Sequence, residues 1–204
     1  MILVFSALLF SISSNLDNVV VGMAYGLKKI KIGLLPNLLI AIITSIGTFL
    51  SMSIGKYISV FLSKDVANIL GSVIIIILGI YFVIASIPNL KKNNLSKSLA
   101  VKDVKDMAKY AEESDLDNSG DINIKEAILI AVGLTFNNLG TGVAASITGV
   151  NIEFTVVFTF ALSILTILFG EYIGNHVLGR FFGKYTPLVS GILFILLGII
   201  EILN

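Results

Sequence analysis

The chain has 204 residues, a mean hydropathy of +0.98, a formal net charge of +1 and no cysteine. A chain so apolar reads as an all-α integral membrane protein rather than a soluble domain, and its near-neutral charge gives no basis for a nucleic-acid partner. With no Cys and a single His, any metal would be held by oxygen ligands, which favours calcium, magnesium or manganese over zinc or copper.

Six apolar segments can be drawn in order, over residues 2–27, 33–54, 66–90, 127–152, 154–178 and 185–204. The first lacks a basic flank and a small-residue cleavage site, so it reads as a retained helix rather than a removed signal peptide. Its only charge is Asp17, within NLDNVVVGMAYG. A carboxylate inside a span is expensive and rarely persists unless it faces a bundle interior or a water-filled path. Ser14, Asp17 and Asn18 share one face of this helix.

Residues 91–126 are the only stretch that composition allows to be solvated. Within it DLDNSGDINIKE, residues 115–126, matches a twelve-residue EF-hand calcium loop. Asp115, Asp117 and Ser119 fall at ligand positions 1, 3 and 5, Gly120 at the sharp turn, Asp121 at the carbonyl position and Glu126 at the closing bidentate position. The alternative is an acidic, turn-rich linker. Leu99, Val101, Val104, Met107, Ala108 and Ala111 would form the apolar side of an entering helix. The fourth span would be the exiting one, so an ion in the loop could stiffen or tilt it.

The fourth segment carries FNNLGTGVAAS, an echo of the first. Asp17, Asn18, Gly22 and Ala24 fall on Asn137, Asn138, Gly142 and Ala144 at an offset of 120. Ser51 and Gly55 fall on Gly170 and Gly174 at an offset of 119. The chain therefore divides into a three-helix repeat (1–90), an insert (91–126) and a second repeat (127–204), and an odd number of spans per repeat makes the second inverted. Lys and Arg concentrate in the first linker, the insert and the stretch before the sixth span, which puts the insert in the cytoplasm and both termini outside the plasma membrane.

Asp17 and Asn137 each lie ten residues from the cytoplasmic end of their span, ~15 Å deep at 1.5 Å per residue. Asp17, Asn18, Ser14, Asn137, Asn138 and Thr141 then make a partly dehydrated cation site near the midplane; the alternative is that they are hydrogen-bonding glue between helices. The small pairs Gly22 with Gly26, Gly142 with Ser146, Ser51 with Gly55 and Gly170 with Gly174 read as helix packing. Glu171 is expected at the interface beside Asn175, His176 and Arg180, and Glu201 and His176 as solvated.

Six spans in two repeats, an acidic residue in the polar stretch of the first span and the loop before the fourth resemble the sporulation membrane protein family YtaF, related to the manganese efflux pump family MntP. The resemblance covers essentially the whole chain and implies a plasma-membrane divalent-cation exporter, of manganese or calcium, with the lipid bilayer and the metal ion as partners. Those pumps carry an Asp in each repeat; Asp17 matches the first, while Asn137 stands at the second. A Glu of their second span falls near Thr48. The alternative is a non-transporting scaffold or calcium-responsive regulator in sporulation. An enzyme is the weakest reading, because there is no nucleophile and base constellation. A homo-oligomer is left open.

Overall fold

The computed structural model describes residues 2–91, 114–175 and 179–203. Its long helices are α1 (Ile2–Lys28), α2 (Leu34–Ser59), α3 (Lys64–Lys91), α4 (Ile124–Ile147), α5 (Ile152–Asn175) and α6 (Gly179–Ile202). The expected entering helix over residues 99–111 lies outside the described residues, as does His176.

Among the described residues, four unbroken stretches are long and apolar enough to cross a membrane: Ile2–Lys28, Leu34–Ser59, Lys64–Ile84 and Ile152–Asn175. The fourth expected span differs from these. Ile124–Phe136 and Asn138–Ile147 are bent by 46° at the polar TFNNLGTG run, where Asn, Thr and Gly hold a helix poorly. Within α6, which runs unbroken from Gly179 to Ile202, the apolar stretch among the described residues is Leu188–Ile202.

Packing follows the small residues. Gly22 of α1 meets Gly170 of α5 main chain to main chain, and Gly26 meets Gly174 one turn on. Gly142 of α4 packs on Ser51 of α2, and Gly55 on Val143 and Ser146. Gly79 and Gly191 bring α3 and α6 equally close. Without side chains between them, backbones approach and gain dispersion contacts that lipid tails cannot offer.

The helix ends carry the same correspondence. Helix α1 stops with Lys29 at φ 58, Lys29 N–H donating to the Gly26 carbonyl at 3.0 Å and Ile30 N–H to the Tyr25 carbonyl at 3.0 Å. Helix α4 stops with Gly149 at φ 94, its N–H donating to the Ser146 carbonyl at 3.1 Å and Val150 N–H to the Ala145 carbonyl at 3.2 Å. Both are Schellman closures of orphan carbonyls, 120 residues apart.

The outer surface is apolar, with Phe49, Leu50, Ile77, Ile84, Val157 and Leu165 all exposed. The interior instead buries hydroxyls and amides, among them Ser11, Ser14, Asn15, Asn18, Asn37, Thr44, Ser51, Thr155, Thr159 and Ser163. Such a polarity suits a bundle whose surroundings are hydrocarbon.

Candidate polar site within the bundle

Asn15 determines how Asn18 is oriented. The Asn15 Nδ2 donates to the Ser11 carbonyl at 2.8 Å, and a carbonyl can only accept, so Asn15 Oδ1 faces Asn18. Asn18 therefore turns its Nδ2 toward Asn15, donating at 2.9 Å, and also to Ser163 Oγ of α5 at 3.1 Å. Its Oδ1 is left buried without a partner. Asp17 is half-buried beside it, and its carboxylate accepts the Asn18 N–H at 2.9 Å.

Helix α4 reaches the same level from the other side. Asn138 Nδ2 donates to the Ser14 carbonyl at 2.9 Å, one turn from Asp17 and Asn18, and Thr141 Oγ1 donates to the Asn138 carbonyl at 3.0 Å. Ser14, Asn18 and Thr141 are buried and Asn138 is partly so. The Asn137 side chain lies outside the described residues.

Sequence reasoning missed the contribution of α2 and α5. Thr44 Oγ1 lies 3.4 Å from Ser163 Oγ, joining α2 to the Asn18 network. Thr159 Oγ1 is 3.4 Å from Ser11 Oγ, and Ser11 Oγ donates to the Thr155 carbonyl at 3.2 Å. The signal was present: Thr155, Thr159 and Ser163 recur every fourth residue, a stripe on one helical face. Asn37, 0% exposed, donates Nδ2 to the Ile164 carbonyl at 3.2 Å, and its Oδ1 is buried without a donor. Thr48 is buried and donates to the Thr44 carbonyl at 2.9 Å.

Many of these hydroxyl protons are committed within their own helices. Thr44 donates to Ile40, Thr48 to Thr44 and Thr155 to Asn151, each to a carbonyl four residues back. The lone pairs of these oxygens stay available, which is the donor set a hard cation uses.

The acidic loop closes on two neighbours. Asp115 accepts the Ser119 N–H at 3.0 Å and the Gly120 N–H at 2.9 Å, and Gly120 takes the positive φ, +79°, that the turn needs. Glu126, 1% exposed, accepts the Leu116 N–H at 2.8 Å and the Asn123 N–H at 2.9 Å. Asn123 caps α4 in return, accepting from Lys125 and Glu126. Hydrogen bonds from Ser119, side chain before backbone, hold the exposed Asp117 carboxyl below its usual value. Ser119 Oγ donates to the Asp121 carbonyl at 2.8 Å. Carboxylate oxygens of Asp115, Asp117 and Glu126 lie within 4.8 Å of one another, close enough to share one hard cation.

The loop is also tied to the α1–α2 linker. Ile122 N–H donates to the Lys31 carbonyl and Lys31 N–H to the Gly120 carbonyl, both at 2.9 Å, with Ile30, Ile32 and Ile122 buried in one cluster.

Two further carboxylates sit at opposite ends of the bundle, and the second departs from expectation. Glu171, half-buried, turns to this linker, where it takes a hydrogen bond from the Ile32 N–H near the Lys31 charge. Glu201 is not solvated but 7% exposed, because α1 and α3 close over the end of α6.

A multi-pass helical bundle with an apolar exterior and a polar, oxygen-lined centre is the architecture of a membrane transport protein. The chain belongs to the Mntp family, described as "Putative manganese efflux pump", whose model matches residues 2–83 and 97–203. Comparisons with curated proteins and with solved structures gave no match.

Proposed function

We propose that the protein exports a divalent cation, manganese foremost, from the cytoplasm across the plasma membrane, through six spans arranged as two inverted repeats. The observation that carries this reading is the buried Asn18 Oδ1, an acceptor without a donor beside the half-buried Asp17 carboxylate. An unmet acceptor in a low-dielectric interior costs roughly 1–3 kcal/mol, and a cation passing between α1 and α4 would meet it. The repeat is supported by the matched Schellman ends, and by Gly22 on Gly170 mirroring Gly142 on Ser51.

In this mechanism Asp17 supplies the charge, while Asn18, Asn137, Asn138, Ser14 and Thr141 replace part of the ion's hydration shell. One repeat rocks against the other around them. Helices α1 and α4 are joined at the site by the bond from Asn138 to Ser14, so a change in their relative tilt would open it to either side in turn. Asp17 exchanging a proton would drive release.

The loop is read as a cytoplasmic regulatory site of the EF-hand type for calcium, held by Asp115, Asp117, Ser119, the Asp121 carbonyl and Glu126. The three converging carboxylates favour it, and they also favour the second reading, a calcium-responsive membrane regulator of the sporulation type that moves no ion.

Flux of Mn²⁺ into vesicles holding the purified protein separates the two. Asp17→Asn is expected to abolish flux and Asp17→Asn with Asn137→Asp to restore part of it. A wild type that moves no Mn²⁺ leaves the regulator.

A further inference from the structure

At the end of the bundle remote from Lys31, α1, α3 and α6 enclose a carboxylate that the transport mechanism does not use. Glu201 is 7% exposed, and among the described residues no ammonium or guanidinium pairs with it. Ser6 of α1, 1% exposed, faces this carboxyl. Its hydroxyl nevertheless makes no well-aligned hydrogen bond.

Helix α3 adds two more oxygens. Asn68 Nδ2 donates to the Glu201 main-chain carbonyl at 2.8 Å. Because that carbonyl only accepts, the amide orientation is forced, and Asn68 Oδ1 is buried with no donor facing it. Ser72, one turn further on and 0% exposed, has an unpartnered hydroxyl. It lies against Gly198, the turn of α6 before Glu201, where an added side chain would strike the Ser72 carbonyl.

Ser6 Oγ, Asn68 Oδ1 and Ser72 Oγ, each buried without a partner, thus lie on α1 and α3 against the last turns of α6, where Glu201 is buried. A buried carboxylate with no protein cation is costly, whereas a hard cation neutralises it and accepts lone pairs from hydroxyl and amide oxygens alike. We propose that Glu201, Ser6, Ser72 and Asn68 form a second, oxygen-only binding site for a hard divalent cation, separate from the Asp17 site.

Dicyclohexylcarbodiimide, which adds to protonated carboxyls in apolar surroundings, tests this on the intact purified protein, with the modified residue read by mass spectrometry. Glu201 should be labelled without metal and at least about tenfold less with saturating MnCl₂, while choline chloride of equal ionic strength gives no protection. Ser6→Ala should raise the half-protecting Mn²⁺ concentration ~10-fold, the worth of one hydrogen-bond-strength contact to a charge; Ser72→Ala serves if that variant does not fold. Asp17→Asn should leave protection unchanged, so the result stands whether or not the protein transports. Labelling of Glu201 that is equal with and without Mn²⁺, protection by choline, or no labelling of Glu201 at all would each overturn the site.

Discussion

Lys31 and Ile122 are joined main chain to main chain, across ninety residues of sequence, by the 2.9 Å hydrogen bond from the Ile122 N–H to the Lys31 carbonyl. The loop thereby holds the turn between α1 and α2, and Ile122 at 4% exposure anchors it among Ile30, Ile32 and Tyr25. Ile122→Ala is expected to destabilise the protein by about 2 kcal/mol or more, measured by denaturation in mixed micelles. Lys31→Ala, which keeps the main-chain bonds, should leave this contact in place and cost far less.

The start of α4 separates helix capping from ion binding. Asn123→Ala removes the cap that accepts from Lys125 and Glu126 and should cost ~1 kcal/mol, with any calcium response of flux retained. Glu126→Gln puts an amide where two backbone N–H groups now meet a carboxylate, so it should lower stability and shift the calcium dependence of flux together. A calcium titration of each variant beside the wild type checks both.

Gly22 and Gly140 predict opposite outcomes for the same change. A methyl group at Gly22 would strike the Ile167 carbonyl and the Glu171 N–H, main-chain atoms with no rotamer to yield, so Gly22→Ala should cost roughly 1–3 kcal/mol. At Gly140 the methyl meets nothing within 4 Å, and Gly140→Ala should be neutral or gain up to ~1 kcal/mol of helix propensity. Melting temperatures in detergent distinguish them.

The matched helix ends differ in one respect. Lys29 takes a left-handed φ of 58° where α4 uses Gly149, and a non-glycine residue there is strained. Lys29→Gly should therefore stabilise by ~1 kcal/mol and Gly149→Ala destabilise by a similar amount, again read from melting in detergent.

Much of this was legible in the sequence because it rests on periodicity. The apolar runs located the helices, and glycines four apart identified which faces touch, since only main chain can approach main chain there. Asn138, which the offset of 120 aligns with Asn18, has its amide on the Ser14 carbonyl of the first helix. The bend of α4 was hidden, because a run of Asn, Thr and Gly inside an apolar segment costs little hydropathy while weakening the helix. The stripe of Thr155, Thr159 and Ser163 on α5 could have been read, whereas the role of Thr44 was hidden, because a lone hydroxyl on a span looks the same whether it faces lipid or a neighbour. Glu201 was misjudged because distance from a helix end says nothing about what other helices cover it. The pairing of the acidic loop with Lys31 depends on backbone hydrogen bonds, which leave no mark on residue type.

The inward-bonded hydroxyls of α2 and α5 carry a consequence for selectivity. A threonine that gives its proton to its own helix has nothing to offer a chloride or a phosphate, whose binding needs N–H or O–H groups pointed at it. On the proposed path, Thr44, Thr48 and Thr155, whose protons go to carbonyls four residues back, would therefore favour a cation over an anion.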